Sequence, residues 1–263
     1  MKTNKSLFLA VLAGFLLVAS VPSILRAQDS HQYYYRIRIY HYKTQAQEDR
    51  LDKYFKDALL PALHRAHISR VGVFKPIQQD TDKKIYVFIP FKNLDEFNNT
   101  RGRVWSDKQY LEDGKDFIDA EYNDLLYSRI EVIVLRAFPT WPVPTEPHLS
   151  APKSERVYEL RSYESPSEKL NINKVKMFND GGETMLFQRL NFNAVFYGEV
   201  LAGSHMPNLM YMTTFENKAD RDKHWDDFGN DPEWKTLVAK PEYAHNVSKA
   251  DILFLHPTEY SDY

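Results

Sequence analysis

Cysteine is missing from this sequence of 263 residues, and glycine is scarce, with nine residues. Without cysteine the chain forms no disulfide bond, has no thiolate nucleophile and cannot build a cysteine metal site. The shortage of glycine argues against the glycine-rich loops that bind phosphates and dinucleotides, and the sequence contains no Gly-x-Ser-x-Gly or His-Glu-x-x-His motif. We therefore predict no metal site, and the sequence identifies no catalytic residues.

An excess of charge of one sign is also missing, because 34 basic residues stand against 36 acidic ones, a net charge of −2. Such a mixed surface offers no electrostatic footprint for nucleic acid. We therefore expect no nucleic-acid partner.

Residues 1–27 have the layout of a secretory signal peptide. Lys2 and Lys5 form a basic start, an apolar run extends from Leu7 to Val21, and the small residue Ala27 precedes Gln28. We predict cleavage near Ala27, a periplasmic or secreted protein, and no membrane attachment after cleavage. An uncleaved membrane anchor is the alternative.

The most informative feature that is present is a long internal duplication. The segments 35–40 and 158–163 both read Tyr-x-(apolar)-Arg-x-Tyr, 123 positions apart, and the segment 85–91 has a counterpart in 209–215. A period above about 100 residues means that the repeating unit is a small domain and not a solenoid repeat.

Each half has the same predicted order of elements, β-α-β-β-α-β, which is the ferredoxin-like order. In the first half a helix is predicted over 46–66, with Thr44 as its N-cap and a kink at Pro61. In the second half the helical stretch 168–190 should break at 180–182, where two glycines follow an aspartate.

The predicted fold is α+β, with two ferredoxin-like domains whose sheets face each other as an intrachain dimeric α+β barrel. Sheet strands that are apolar on both faces need a second cover besides their own helices, and the other sheet can supply it. The predicted boundaries are a first domain over 31–138, a proline-rich linker over 139–155 and a second domain over 156–259. This intrachain pseudo-dimer leaves further oligomerisation open.

The chain resembles the NIPSNAP family. The likeness lies in 35–40, 59–63 and 71–74 of the first half, and in the second half in 158–163, 208–212, 221–225 and 231–234. It implies the dimeric α+β barrel fold, a group that includes cofactor-free monooxygenases and haem proteins. It implies no catalytic set, and the Asp-Pro-x-Trp step at 231–234 has no counterpart near Trp105.

Arg38 and Tyr40 lie two residues apart on a predicted strand, as do Arg161 and Tyr163, so each pair shares a face of its sheet. We expect the apolar alternate positions to pack under the helices and both Arg/Tyr pairs to point into the barrel. An inward carboxylate such as Glu131 or Glu159 would then hold the arginine. The functional alternative is a site for an anion or a carbonyl oxygen.

Two further residues are candidates for ligand contact. His205 lies in a loop of the second half and would be the axial ligand if the protein binds haem; the alternative is an ordinary turn. Trp225 would form an aromatic wall for a ligand, and the alternative is core packing.

Three functions follow from these residues. The preferred one is binding of a small apolar or aromatic ligand in or near the barrel, without a required cofactor. The second is a cofactor-independent monooxygenase or isomerase in which Arg38/Tyr40 or Arg161/Tyr163 stabilises an anion. The third is haem binding.

Overall fold

The computed structural model describes residues 32–263 and has eight strands and nine α-helices in that part of the chain. The predicted signal peptide lies outside these residues. The elements of the first half are β1 (Tyr34–Tyr42), α1 (Gln45–Lys53), α2 (Leu60–Arg65), β2 (Gly72–Pro76), β3 (Lys83–Phe91), α3 (Leu94–Trp105), α4 (Lys108–Asp113), α5 (Lys115–Ile118) and β4 (Arg129–Ala137). Those of the second half are β5 (Val157–Glu164), α6 (Glu168–Asn179), α7 (Glu183–Arg189), β6 (Phe196–Ala202), β7 (Asn208–Phe215), α8 (Lys218–Asn230), α9 (Pro232–Val238) and β8 (Lys249–Pro257).

All eight strands form one closed antiparallel barrel in the order β1-β3-β2-β8-β5-β7-β6-β4. The halves join at two places: β2 pairs with β8, where Phe74 lies opposite Pro257, and β4 pairs with β6, where Leu135 lies opposite Val200. The predicted fold class, two ferredoxin-like units that close an intrachain α+β barrel, is confirmed.

Three apolar layers fill this architecture. A shared core inside the barrel takes side chains from both halves, including Tyr35, Ile37, Phe88, Tyr158 and Phe196. One further core lies between sheet and helices in the first half, and another lies in the corresponding place in the second half.

The expected facing of the first strands is therefore wrong. Tyr35, Ile37 and Ile39 point into the barrel, whereas Tyr40 packs in the helix-side core of the first half. The physical reason is the cost of burying charge. The barrel interior is enclosed by strands from both halves and takes the apolar set. On the helix side Arg36 and Arg38 stay partly exposed, and the buried Arg161 pairs with the buried Glu159.

The first helical stretch begins as predicted, because Thr44 accepts a hydrogen bond from the Gln47 N–H and Gln47 completes a capping box. Pro61 does not simply kink it. A π-helical turn, Tyr54–Leu59, comes before α2, and Pro61 lies in the first turn of α2, where no backbone N–H is needed.

The segment between β4 and β5 has no helix or strand but is bonded to both halves. The Tyr33 N–H donates to the Pro142 carbonyl over 2.8 Å, and the Thr145 N–H donates to the Val195 carbonyl over 2.9 Å. Among residues 32–263, no helix is long and apolar enough to cross a membrane.

Candidate functional site

In the second half, the predicted residues Arg161, Tyr163 and Trp225 meet around one buried carboxylate. Glu159 is fully buried, and its oxygens accept hydrogen bonds from Arg161 Nε (2.6 Å), Arg221 Nε (2.7 Å) and Trp225 Nε1 (2.7 Å). The expectation that Glu159 holds Arg161 is confirmed, although the pair lies under the helices and not inside the barrel.

The remaining polar atoms of this group are also bonded. Arg161 Nη1 donates to the Tyr163 hydroxyl over 2.8 Å, and that hydroxyl lies 2.8 Å from the Tyr211 hydroxyl. The Trp225 ring lies under the Arg161 guanidinium, with Cζ 3.5 Å from the ring centroid. Burial acts to lower the pKa of Arg161, but Tyr211, Tyr163 and Glu159 together raise it above its ordinary value. Trp225 is partly buried and packs against the helix-side core of the second half, and its role in ligand contact stays a prediction.

The strand registers show which first-half residues occupy the same places. Tyr34 pairs with Phe91 as Val157 pairs with Phe215, so Arg36 corresponds to Glu159 and Arg38 to Arg161. The helices that follow β3 and β7, which are α3 and α8, begin at equivalent N-caps, Asn93 and Asn217. By that spacing Phe97 corresponds to Arg221, and Arg101 corresponds to Trp225. The buried acid of the second half is therefore replaced by an arginine in the first.

The first-half arginines have aromatic neighbours in place of an acid. Arg36 Cζ lies 5.0 Å from the Phe91 ring centroid and 5.5 Å from that of Phe97, and Arg38 Cζ lies 5.0 Å from that of Tyr40. Within residues 32–263, the buried Nε of Arg36 has no hydrogen-bond partner. Burial, Arg38 and Arg101 lower the pKa of Arg36 to about 10, so it still carries its charge at neutral pH.

The carboxylate expected for Arg38 is elsewhere. Glu131 lies opposite Ile39 in the register of β1 and β4, on the inner face of the sheet, and its Oε1 is 2.7 Å from His41 Nε2. The prediction that Glu131 holds an arginine is wrong, because strand alternation places it on the face opposite Arg38.

Tyr40 is completely buried, and its hydroxyl has no partner among the described residues. Burial raises its pKa to about 12. Its ring packs edge-on against Phe55, with centroids 4.8 Å apart, so Tyr40 is part of the helix-side core of the first half.

Next to these arginines, a cavity of about 450 Å³ opens between the helices and the sheet of the first half, and we call it the first-half cleft. Arg36, Arg38 and Arg101 line it, and Trp105 and Val132 stand at its edge, 48% and 45% exposed. Its aromatic wall consists of Tyr54, Phe97, Trp105, Tyr110, Phe117 and Tyr127. Within this wall Tyr54 and Phe117 stack with their ring centroids 3.8 Å apart.

A second cavity, of about 360 Å³, lies at one end of the barrel and is lined by residues of both halves. We call it the barrel-mouth cavity. His205 lies at its edge, exposed, with Nδ1 3.1 Å from Glu164 Oε1. Haem binding through His205 stays a prediction. No group of three or more histidine or acidic side chains placed to hold a metal ion occurs in the described part of the chain.

Sequence reasoning found Arg38 and Tyr40 but missed Arg36 and Arg101. The signal was present in the duplication itself. Aligning the two Tyr-x-(apolar)-Arg-x-Tyr segments places Arg36 against Glu159, a reversal of charge at a position that one half buries completely.

The fold and the duplicated site define a dimeric α+β barrel protein with both units in one chain. The NIPSNAP family model matches residues 35–129 and 158–262, so this chain belongs to the NIPSNAP family as a tandem of two such units. No curated protein is detectably similar to it in sequence.

Solved structures share the fold at low sequence identity. A candidate monooxygenase from Fusobacterium nucleatum is 8% identical, with a TM-score of 0.55 over 86% of this chain and 92% of that one. One from Lactobacillus acidophilus is 14% identical, with a TM-score of 0.52 over 86% and 94%. A NIPSNAP family protein from Agrobacterium tumefaciens is 19% identical, with a TM-score of 0.36 over 40% and 96%. For the first two structures, whose TM-scores exceed 0.5, the likeness shows the fold alone.

Proposed function

We propose that this protein binds a small aromatic or apolar molecule in the first-half cleft. The observation that carries the proposal is the contrast between the duplicated units. In the second half Arg221 and Trp225 both bond the buried Glu159, whereas Phe97 and Arg101, at the equivalent positions of the first half, line a cavity of about 450 Å³. Concave, mostly apolar cavities with a few convergent polar groups are the usual form of small-molecule sites.

The interior of the barrel, the other place considered for a ligand, is largely filled by side chains. Its core is packed with rings, as where Phe88 stacks on Phe196 at 4.9 Å and Tyr35 lies 5.2 Å from both. At the barrel-mouth cavity the charged groups already pair with each other, as in His41–Glu131 and His205–Glu164. A ligand there would compete with contacts that exist, whereas in the first-half cleft it would meet arginines that have no acidic partner among the described residues.

The lining of the cleft supports binding better than catalysis. Its polar groups are guanidinium groups, phenol hydroxyls, the Thr100 hydroxyl and the Trp105 indole N–H, and no carboxylate or imidazole of the described residues lines it. Such groups hold and orient a molecule, while general-base chemistry calls for an acceptor near neutral pKa. We also propose that the protein acts after export, and the N-terminal sequence of the mature protein tests this.

Calorimetric titration with 2-naphthalenemethanol, a neutral bicyclic aromatic, tests the site. Val132→Trp places a large ring at the edge of the cleft, at a position 45% exposed, and should weaken binding by about tenfold or more through steric exclusion. Ile252→Trp is the matched control. Ile252 is 44% exposed and lies opposite Arg161 as Val132 lies opposite Arg38.

Binding that is lost in Val132→Trp and kept in Ile252→Trp supports the proposal. Absence of binding of both this alcohol and its carboxylate analogue, 2-naphthoate, to the unmodified protein contradicts it. Loss in Ile252→Trp alone would instead assign the ligand to the second half or the barrel mouth.

A further inference from the structure

We infer that the ligand of the first-half cleft is an aromatic anion of the carboxylate class, whose charged group binds among Arg36, Arg38 and Arg101 while its ring lies on the aromatic wall. This inference rests on the proposed function and adds the charge of the ligand. It is carried by the placement of the three arginines.

The second half shows what this arrangement needs in order to be complete. There, two guanidinium groups share the fully buried carboxylate of Glu159, and the tryptophan N–H donates to the same carboxylate. Bidentate and charge-assisted contacts of this kind are among the strongest that a carboxylate makes. The second half therefore carries its anion as part of the chain.

The first half has the cations without the anion. Arg36 stands at the place of Glu159, and Arg101 stands at the place of Trp225. Across residues 32–263, no salt bridge involves Arg36, Arg38 or Arg101, while Arg161 and Arg221 both have one. Three like charges beside one cavity repel each other, and a bound anion removes that repulsion.

Burial makes the missing partner more costly than it would be on an open surface. The Nε of Arg36 is buried without a hydrogen-bond partner in the described structure, and its guanidinium lies against the rings of Phe91 and Phe97. A positive charge this buried and unpaired costs free energy, and the Coulomb attraction of an anion in the cleft would offset that cost. An anion entering the cleft would meet Arg38 and the exposed Arg101 as well.

Aromatic and aliphatic side chains form the rest of the cleft lining and would contact the apolar part of the ligand. Tyr54 and Phe117 are stacked, and Leu59, Leu63 and Val104 complete this wall. The three arginines and the aromatic side chains line one cavity of about 450 Å³, so a single small molecule can contact both. A free inorganic anion would leave the aromatic wall uncovered.

The test compares two ligands that share a ring and differ in charge, 2-naphthoate and 2-naphthalenemethanol, by calorimetric titration of the whole protein. We expect naphthoate to bind about tenfold or more tightly, since hydrogen bonds to charged groups are stronger than those between neutral groups. We also expect this preference to shrink as salt is added. Inorganic phosphate has no ring. Added at the same concentration as a saturating amount of naphthoate, it should not displace naphthoate from the site.

Arg36→Glu gives the first half the internal carboxylate that the second half has in Glu159. The ratio of the two affinities should then fall to about one, because the introduced carboxylate would pair with Arg38 inside the protein. Arg129→Glu makes the same change of charge at an exposed arginine of β4 outside the cleft and should keep the ratio. Arg101→Gln, a change at an exposed helix position, should lower the ratio several-fold and serves as the test if Arg36→Glu does not fold.

Each outcome bears on a different claim. Equal binding of the two ligands overturns the inference of an anion and leaves the proposed function standing. Binding of neither overturns both. A naphthoate preference that survives Arg36→Glu and Arg101→Gln contradicts the assignment of the charged group to these arginines.

Discussion

Glu159 is the residue on which the polar packing of the second half depends. Its carboxylate is fully buried and accepts from Arg161 and Arg221, whose side chains are 9% and 15% exposed. We predict that Glu159→Gln lowers the free energy of unfolding by about 3 kcal/mol, because it leaves the buried Arg161 without an acidic partner and Arg221 with only the exposed Asp222. Urea denaturation followed by circular dichroism measures this.

A matched control for this prediction is Asp222→Asn, which removes the other acid bonded to Arg221. Asp222 lies on the surface, so solvent screens the pair and the variant should unfold at nearly the same urea concentration as the parent. Equal loss in both variants would contradict a special contribution from the buried carboxylate of Glu159.

The sequence was informative about these residues up to one physical limit. Strand alternation correctly placed Arg38 with Tyr40, and Arg161 with Tyr163, on common faces. It could not say which face is inward, since both faces of these strands carry apolar residues and both are covered. That choice depends on whether each charged group reaches water or a buried partner such as Glu159, which is a property of the assembled barrel.

At the scale of elements, the junction of α6 and α7 is where a single residue type is required. Gly182 has φ of +85° and precedes α7, in the left-handed region that other residues enter only at a cost. We predict that Gly182→Ala destabilises the protein by about 1 kcal/mol. A Cβ at this position would meet no atom within 4 Å, so the loss comes from the backbone alone. Thermal unfolding measures it.

A glycine-to-alanine change at Gly102 should have the opposite effect on stability. Gly102 lies inside α3, and a Cβ there would also meet no atom within 4 Å. Gly102→Ala should stabilise the protein by roughly 0.5–1 kcal/mol, because glycine is a poorer helix former than alanine. A stabilising effect of Gly182→Ala would show that its positive φ is not held in solution.

Element order was predictable from the chain because the break at 180–182 and the cap at Thr44 are local features. The π-helical turn over Tyr54–Leu59 was not, although Pro61 marked the region. A proline shows that the backbone must adapt nearby, but the surrounding packing decides whether it kinks, ends or widens the helix.

At the scale of the whole molecule, the duplication gives two similar units, and closure of the barrel makes the stability of each unit depend on the other. Neither half has a complete interior of its own, because Tyr35 and Phe88 of the first half pack on Tyr158 and Phe196 of the second only across the closed barrel. The strand pairs β2–β8 and β4–β6 also remove the open edges that each separate half would expose. The helix-side layers are free to diverge, which allows one to hold an internal ion network and the other an open cleft.

This dependence predicts that the halves unfold together. Phe196 is fully buried and lies 4.9 Å from Phe88 and 5.2 Å from Tyr35, so Phe196→Ala removes a ring that both halves share. We expect it to lower the free energy of unfolding by about 3–5 kcal/mol. Hydrogen exchange read by mass spectrometry should then show peptides from β1 and β3 losing protection together with peptides from β6 and β7.

Ile172→Ala serves as the control for that experiment, because Ile172 lies on α6 with its side chain 65% exposed and should leave exchange in both halves nearly unchanged. Loss of protection confined to β6 and β7 in Phe196→Ala would show two independently stable units that only touch.

Loss of protection in both halves has a further consequence for the cleft, since Arg36 and Arg38 lie on the outer face of β1, whose inner face carries Tyr35 of the shared core. The first-half site would then depend on a ring contributed by the second half, and ligand affinity should fall in Phe196→Ala even though no atom of Phe196 lines the cleft.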